Sequence, residues 1–442
     1  FLSRYIRVIF GNNCRIIPTY FSIRSPKKQR MDIPTKIYLF TDRYPYGRGE
    51  TFVESELNTI ARSGENVEIT VIPVRKAAEK RSLPENVRLC LMLADAPAER
   101  KFRALAAAMG SAHLWKLPFS SRRPKNGKQW RNAAGGLYRA YLTWFTVARH
   151  RPFFEKADIF YAYWLDNTAT GLSFVKSSLK GFDKPLVCRA HGYDVFEEER
   201  GVFFPARESA FKYIDHIFPV SQTGADYLKR RYPQFSQKIE CRHLGVENHS
   251  CEPHELPEGQ LRFVSCSNVI ALKRLGLTAN MLKRYATLHP ELNISWTHFG
   301  TGPLWDEVRA ETFSGKPDNF TAAFEGAVPN AEILKRYETG EFDIFVSLSQ
   351  SEGMPVSVIE AMSCCISPLC TAAGGTGDAV DDEVGFRLPL RPSYEDFAKG
   401  LRHILADYSA LSQMARDKQR ELFSAEQNFT DFYRFLSSLK EH

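Results

Sequence analysis

The 442-residue chain lacks any apolar run near the ~18 residues that a membrane-spanning helix needs. The longest candidate, 104–115, is interrupted by Gly110, Ser111 and His113. Its nine cysteines form no CxxC pair. That excludes a disulfide scaffold and points away from structural zinc. Cys364 and Cys365 are adjacent, in a stretch that reads as helix, and suit packing better than ligation. The chain has no Asp-x-Asp motif of the kind that holds a metal beside a diphosphate, no internal repeat and no low-complexity tract. Apolar residues make up 43% and charged residues 25%, which excludes wholesale disorder and a fibrous chain.

Acidic residues are absent from two segments. Residues 1–30 carry +7 and residues 101–150 carry +10, without one Asp or Glu. Residues 31–100 and 151–250 are close to neutral, whereas 251–442 carry −9. The net +8 is therefore not a uniform basic surface of the kind that suits nucleic acid. The first methionine is Met31, and residues 1–30 read as an over-extended start, with an Arg-rich transit peptide as the alternative. The compartment expected is the reducing cytoplasm.

What is present is an alternation of short apolar strands with longer amphipathic stretches, in two blocks, which predicts parallel sheets. Strands are expected at 37–40, 67–72, 159–163, 186–190 and 216–220, then at 262–265, 294–299, 321–325 and 344–348. Length suggests two or three domains. Residues 247–260, rich in Pro, Glu and His, read as the linker between a first domain, 31–246, and a second, 261–425. Residues 426–442 read as a closing helix returning to the first domain. The fold class expected is α/β, two facing Rossmann-like doubly wound domains. In such folds ligands bind beyond the carboxyl ends of the strands, here in the cleft between domains.

The densest chemical signal is the run Ser-Glu-Gly-Met-Pro-Val-Ser-Val-Ile-Glu-Ala-Met at 351–362, directly after a strand. Pro355 suits a helix start, and Gly353 lets backbone approach a ligand. Glu352 in the loop and Glu360 in the helix can reach one elongated ligand at different depths, as carboxylates accept from paired sugar hydroxyls. The plain alternative is a loop charge and a solvated helix residue. Gly300 and Gly302 follow another strand, Gly374 and Gly375 follow the Glu360 helix, and Lys273 lies in a third loop, where it could neutralise a diphosphate. His191 follows the 186–190 strand beside Gly192; by itself it reads as readily as a satisfied core histidine.

Together these motifs resemble the retaining glycosyltransferases of family 4, which have the GT-B fold. The match is most specific at 343–378, weaker at 299–304 and 324–328, and extends to Arg189–Asp194 and the 45–53 loop. The resemblance implies that Glu360 binds the donor ribose and that Glu352 contacts the donor sugar beside Gly353, Met354 and Pro355. It implies Lys273 on the diphosphate, His191 near the anomeric carbon, Val328 beside the base, and Gly49 and Gly302 in loops approaching the donor. No cofactor and no metal are expected, the nucleotide-sugar being a substrate. The family usually has an Arg five residues before the lysine. This chain has Asn268 there, with Arg274 as the nearest substitute, while Asp378 stands in place of Glu.

The function implied is transfer of a sugar from a nucleotide-sugar to a saccharide or lipid-linked acceptor, with retention, in cell-surface polysaccharide synthesis. A non-catalytic sugar-nucleotide-binding subunit and a nucleotide-sugar epimerase on the same fold are the alternatives. Residues 101–150 interleave ten cations with Phe102, Trp115, Phe119, Trp130 and Trp144. With the resemblance, they read as a surface for anionic lipid rather than for nucleic acid, placing the chain on the inner face of the cell membrane.

Overall fold

The computed structural model describes residues 33–441 except Arg48, Ser121 and Arg122. The expected 1–30 extension lies outside the described residues. Two six-stranded sheets form, both wholly parallel. The first contains β1 (Thr35–Thr41), β2 (Val67–Pro73), β3 (Val87–Leu89), β4 (Ile159–Ala162), β5 (Leu186–Ala190) and β6 (His216–Pro219), in spatial order β3-β2-β1-β4-β5-β6. The second contains β7 (Gln260–Cys266), β8 (Asn293–Phe299), β9 (Phe320–Gly326), β10 (Ile344–Ser347), β11 (Ser367–Thr371) and β12 (Phe386–Leu388), ordered β12-β11-β10-β7-β8-β9.

Helices cover both faces, so the central strands are near-continuous apolar runs rather than alternating ones. All four residues of β4 and all five of β5 are buried. The nine expected strands form, with ends shifted by a residue or two. Strands β3, β11 and β12 escaped the sequence pattern. Two of them are three-residue edge strands. The third, β11, carries Pro368 inside a paired strand, normally a mark against strand structure. Gly385, just before β12, makes the room: a Cβ there would lie 2.8 Å from the Pro368 ring.

Two details of the 351–365 region differ from expectation. Pro355 caps the Val356–Ser363 helix instead of opening its first turn. That helix stops at Ser363, so Cys364 is its C-cap and Cys365 sits beyond it at φ 59°.

The chain crosses between the sheets twice, side by side. Val246 N donates to the Phe423 carbonyl at 2.8 Å, and Ala425 N donates to the Val246 carbonyl at 2.9 Å. A Cβ on Gly245 would stand 2.2 Å from Ala425 Cα, so this close crossing needs glycine. The closing helix, Ala425–Ser438, buries Phe429, Phe432, Tyr433 and Leu436 against β1 and β4 of the first sheet. Beneath it lies a buried polar cluster. Tyr161 and Tyr163 hydroxyls donate to the Glu56 carboxylate at 3.1 and 3.0 Å, and Arg189 Nε donates to Tyr161 Oη at 2.8 Å. Arg189 also stands over the Phe432 ring, 4.1 Å from its centroid.

Candidate active site in the interdomain cleft

The loops at the carboxyl ends of both sheets meet. From the first sheet come the loop after β1 and the turn after β5. Glu50, at φ 57°, holds the first in shape: its carboxylate accepts from the amides of Asp42, Arg43 and Tyr44 at 3.0, 2.7 and 2.7 Å, and from Trp164 Nε1 at 2.7 Å. Gly49 is exposed beside it, its carbonyl taken by Arg81 Nη2. After β5, Asp194 turns the chain by accepting from the amides of His191 at 2.5 Å and Leu165 at 2.6 Å.

That turn buries His191 to 8% exposure among Phe52, Tyr163 and Trp164, with ring centroids 5.4, 5.3 and 4.5 Å away. Burial first, and the Arg189 charge second, push the imidazole pKa down to about 3. The ring is therefore neutral near pH 7. Neither ring nitrogen has a partner among the described residues. Buried polar atoms are nearly always bonded, so both nitrogens call for a partner, water or ligand, at the cleft.

From the second sheet come the loops after β7, β10 and β11. Lys273 Nζ stands 2.5 Å from Glu352 Oε1, so the structure brings the expected lysine and carboxylate together. The 351–353 loop is clasped from both sides. On one side, Gly374 at φ 52° and Gly375 press under it, their Cβ positions 2.0 Å from the Glu352 and Gly353 carbonyl oxygens. On the other, Gly192 abuts Gly353: a Cβ on Gly353 would lie 2.3 Å from Gly192 N. The cleft is thus closed, and glycine on both sides permits the closure. Met354 bridges the apolar clusters of the two halves.

Glu360 belongs to a second cluster. It accepts from Asn330 Nδ2 at 3.0 Å and lines a cavity of about 520 Å³ together with Val356, Asn330, Thr51, Phe52 and Ser55. Burial pushes its carboxyl pKa up to about 7. Neither Glu352 nor Lys273 lines this cavity. Val328 is half-buried among the apolar residues behind it. The glycines after β8 have a packing role: Cβ atoms on Gly300 and Gly302 would lie 1.9 Å from the Ser267 carbonyl oxygen and 2.4 Å from that of Val269.

Arg274, suggested as the nearest substitute cation, has φ 49° and bonds two backbone carbonyls, those of Leu390 at 2.8 Å and Ser349 at 3.1 Å. Asn268 is exposed. Residues that motif reading missed are contributed by the other half. Arg200 Nη2 donates to the Ser351 carbonyl at 3.2 Å, and Ser351 Oγ donates to Glu199 at 3.0 Å. Near the crossing, Asp378 accepts from Gln222 N and lies 3.0 Å from His243 Nε2. Cys241 completes a Cys–His–Asp group of the sort that can hold a metal, its thiol pKa pushed up to about 12 by burial.

Residues 321–421 match the family model described as glycosyl transferases group 1. The matched segment is similar to that family over 321–421 alone. It holds the 351–362 run, Glu352 and Glu360, in the half of the cleft that carries Lys273. A stretch of 144 residues is 31% identical to the sulfoquinovosyl transferase of Arabidopsis thaliana, covering 31% of this chain and 26% of that protein. The chain therefore matches about a quarter of that relative's length. Over 91% of this chain and 99% of the other, the fold superposes on a lipopolysaccharide outer core galactosyltransferase with TM-score 0.65 at 13% identity. It superposes on Anabaena HepE in complex with UDP and glucose with TM-score 0.60 at 13% identity, over 91% and 100% of the two chains. For Staphylococcus aureus TarM, bound to UDP and a saccharide, the values are 0.61, 13%, 92% and 100%. The fold is GT-B.

Proposed function

We propose that this chain transfers a sugar from a nucleotide-sugar to a saccharide or lipid-linked acceptor, with retention, in building a cell-surface polysaccharide. One observation supports the reading: the Gly192–Gly353 backbone contact brings the turn that carries His191 beside the loop that carries Glu352, which pairs with Lys273. In transfer, the bond from the anomeric carbon to the diphosphate breaks and its electron pair stays on the diphosphate oxygen. The acceptor oxygen bonds the anomeric carbon and passes its proton to the leaving diphosphate oxygen. Lys273 offsets the charge that develops on the leaving group, an effect that is strong in a water-poor cleft. His191 hydrogen-bonds a sugar hydroxyl near that carbon, and the Glu352 carboxylate accepts from others. Glu360 and Asn330 hold the ribose, with the base towards Val328. Gly49 and Gly302 shape the approach, and Gly353, Met354 and Pro355 line the sugar. No resident metal is needed, and turnover should be unchanged by a chelator.

The test is donor hydrolysis. Thermal-shift screening with uridine- and guanosine-diphosphate sugars picks the donor. Slow release of free sugar and nucleoside diphosphate, abolished in Glu352→Ala, supports transfer. Tight binding without turnover would leave a binding subunit, and interconversion of the donor sugar an epimerase.

The 101–150 face supports a site of action at the inner membrane surface. Among the described residues no helix is long and apolar enough to cross a membrane. Phe102, Trp115 and Phe119 are 72%, 65% and 90% exposed, beside exposed Lys101, Lys116, Lys125 and Lys128. Exposed aromatics ringed by cations suit anionic headgroups, at about 1 kcal/mol per near-surface cation. Flotation with phosphatidylserine vesicles, lost when these lysines are neutralised, is the expected result; flotation unaffected by the substitutions would refute it.

A further inference from the structure

Glu352 faces cations from both halves of the cleft. Lys273 of its own half is 2.5 Å away. The other is Arg200, last residue of the short Glu197–Arg200 helix of the first half. Its Nη2 reaches the Ser351 carbonyl and lies 3.0 Å from where a Cβ on Gly192 would stand, so the guanidinium occupies the seam between Gly192 and the 351–353 loop. Its Nε is buried and has no partner among the described residues. Burial pushes the Arg200 pKa down, and Glu352 is the carboxylate that most opposes this.

A nucleoside diphosphate brings at least two negative charges into this seam. The lysine there is already matched by Glu352, and position 268 is an exposed asparagine. We propose that Arg200 is the second diphosphate-binding cation, delivered from the opposite half, so that the donor site is electrostatically complete only when the cleft closes. The inference rests on the donor reading above. Its Nε, buried and unpartnered among the described residues, and its Nη2, on the Ser351 carbonyl, form one edge of a guanidinium, the geometry suited to two oxygens of one phosphate once that edge is uncovered. On donor binding the fork exchanges a backbone carbonyl for the diphosphate. Closure and charge neutralisation then become one event, so that the leaving group is fully countered only in the closed, water-poor cleft.

The experiment uses the full chain, with UDP for calorimetry and the donor found in the screen for kinetics. Arg200→Gln should lower kcat/KM about 10- to 100-fold, the span of a charge-assisted hydrogen bond. Adding Asn268→Arg to that variant should restore most of the loss, because it places a cation in the loop after β7 that also carries Lys273. An Arg200→Gln variant that behaves as wild type overturns the proposal. So does a loss that Asn268→Arg leaves untouched, since Arg200 would then be only a latch on Ser351. Should Arg200→Gln fail to fold, Asn268→Arg alone decides. With Arg200 already serving, UDP affinity should change less than about threefold; a gain of about tenfold or more would mean the cation position had been vacant. A wild-type chain that binds no nucleoside diphosphate overturns the donor reading itself, whereas intact wild-type binding with an indifferent Arg200→Gln overturns the arginine alone.

Discussion

Arg189 of the first half and Lys273 of the second each face a glutamate, under opposite conditions. The Arg189 and Glu56 side chains are 0% and 1% exposed, 3.7 Å apart, and bonded on to two tyrosines. Lys273 and Glu352 are 21% and 13% exposed, 2.5 Å apart, at the tips of loops. The buried pair has no exchange partner, because no ligand reaches it; it braces β4, β5 and the closing helix behind His191. The cleft pair holds its charges in readiness, since a phosphate can replace the carboxylate on the lysine. A buried ion pair is weak evidence of net stabilisation, yet removing one partner is costly because the other is left charged and unpaired. Around His191 the first half thus keeps its charges buried and paired, Arg200 at the seam apart, and the second half presents exchangeable charge.

The strongest challenge to this contrast is Arg189→Met. It should cost about 3 to 5 kcal/mol in denaturant unfolding, with Glu56 stranded. Adding Glu56→Gln should recover part of it. A loss below about 1 kcal/mol would show the pair to be as loosely held as the cleft pair, and the contrast would fail.

His191 comes next. His191→Ala should lower kcat about 10- to 100-fold, the worth of one buried hydrogen bond to the reacting sugar, while the melting temperature shifts little. With the pKa held near 3 in the fold, below the ordinary 6.5, the imidazole stays neutral from pH 5 to 9. The kcat profile should therefore carry no limb near 6.5 that vanishes in His191→Ala. Such a limb would mean that water or charge reaches the ring.

The sequence disclosed the parts of this arrangement that are local. Strands such as β1 and β5 are legible because burial on both faces makes them mostly apolar, and the 351–362 run is legible because loop, cap and helix follow one another. Pro368 concealed β11, since its tolerance depends on Gly385 in the neighbouring strand's approach. Arg200 could not be read at all. It ends a Glu-Glu-Glu-Arg run that resembles solvated charge, and its partner Ser351 is 151 residues away. The contacts of Arg274 were unreadable for the same reason, as nearness in sequence to Lys273 says nothing about the carbonyls of Ser349 and Leu390. His191 was placed by its turn after β5, but its neutrality comes from three aromatic rings that no local pattern names.

The smallest expected effect lies in the second half and has two signs. Glu360 has a folded pKa near 7, raised by burial above its ordinary 4.5. Between those values the folded chain holds a proton that the unfolded chain has released. Stability is therefore greatest below about pH 4.5 for this group and falls as pH rises towards 7. Discounted for the solvent that reaches the half-buried side chain, the loss is on the order of 1 kcal/mol. Ribose hydroxyls donate, and so they favour the ionised carboxylate. Nucleotide affinity should then rise across the same interval in which the empty protein loses stability. Melting curves and UDP titrations at pH 5.5, 6.5 and 7.5, taken as the difference between wild type and Glu360→Gln, separate this group from every other titrating residue. Opposite slopes are expected. If both difference curves are flat, the carboxyl is open to water and the second half holds no buried acid; if both slope the same way, Glu360 titrates but does not receive the ribose.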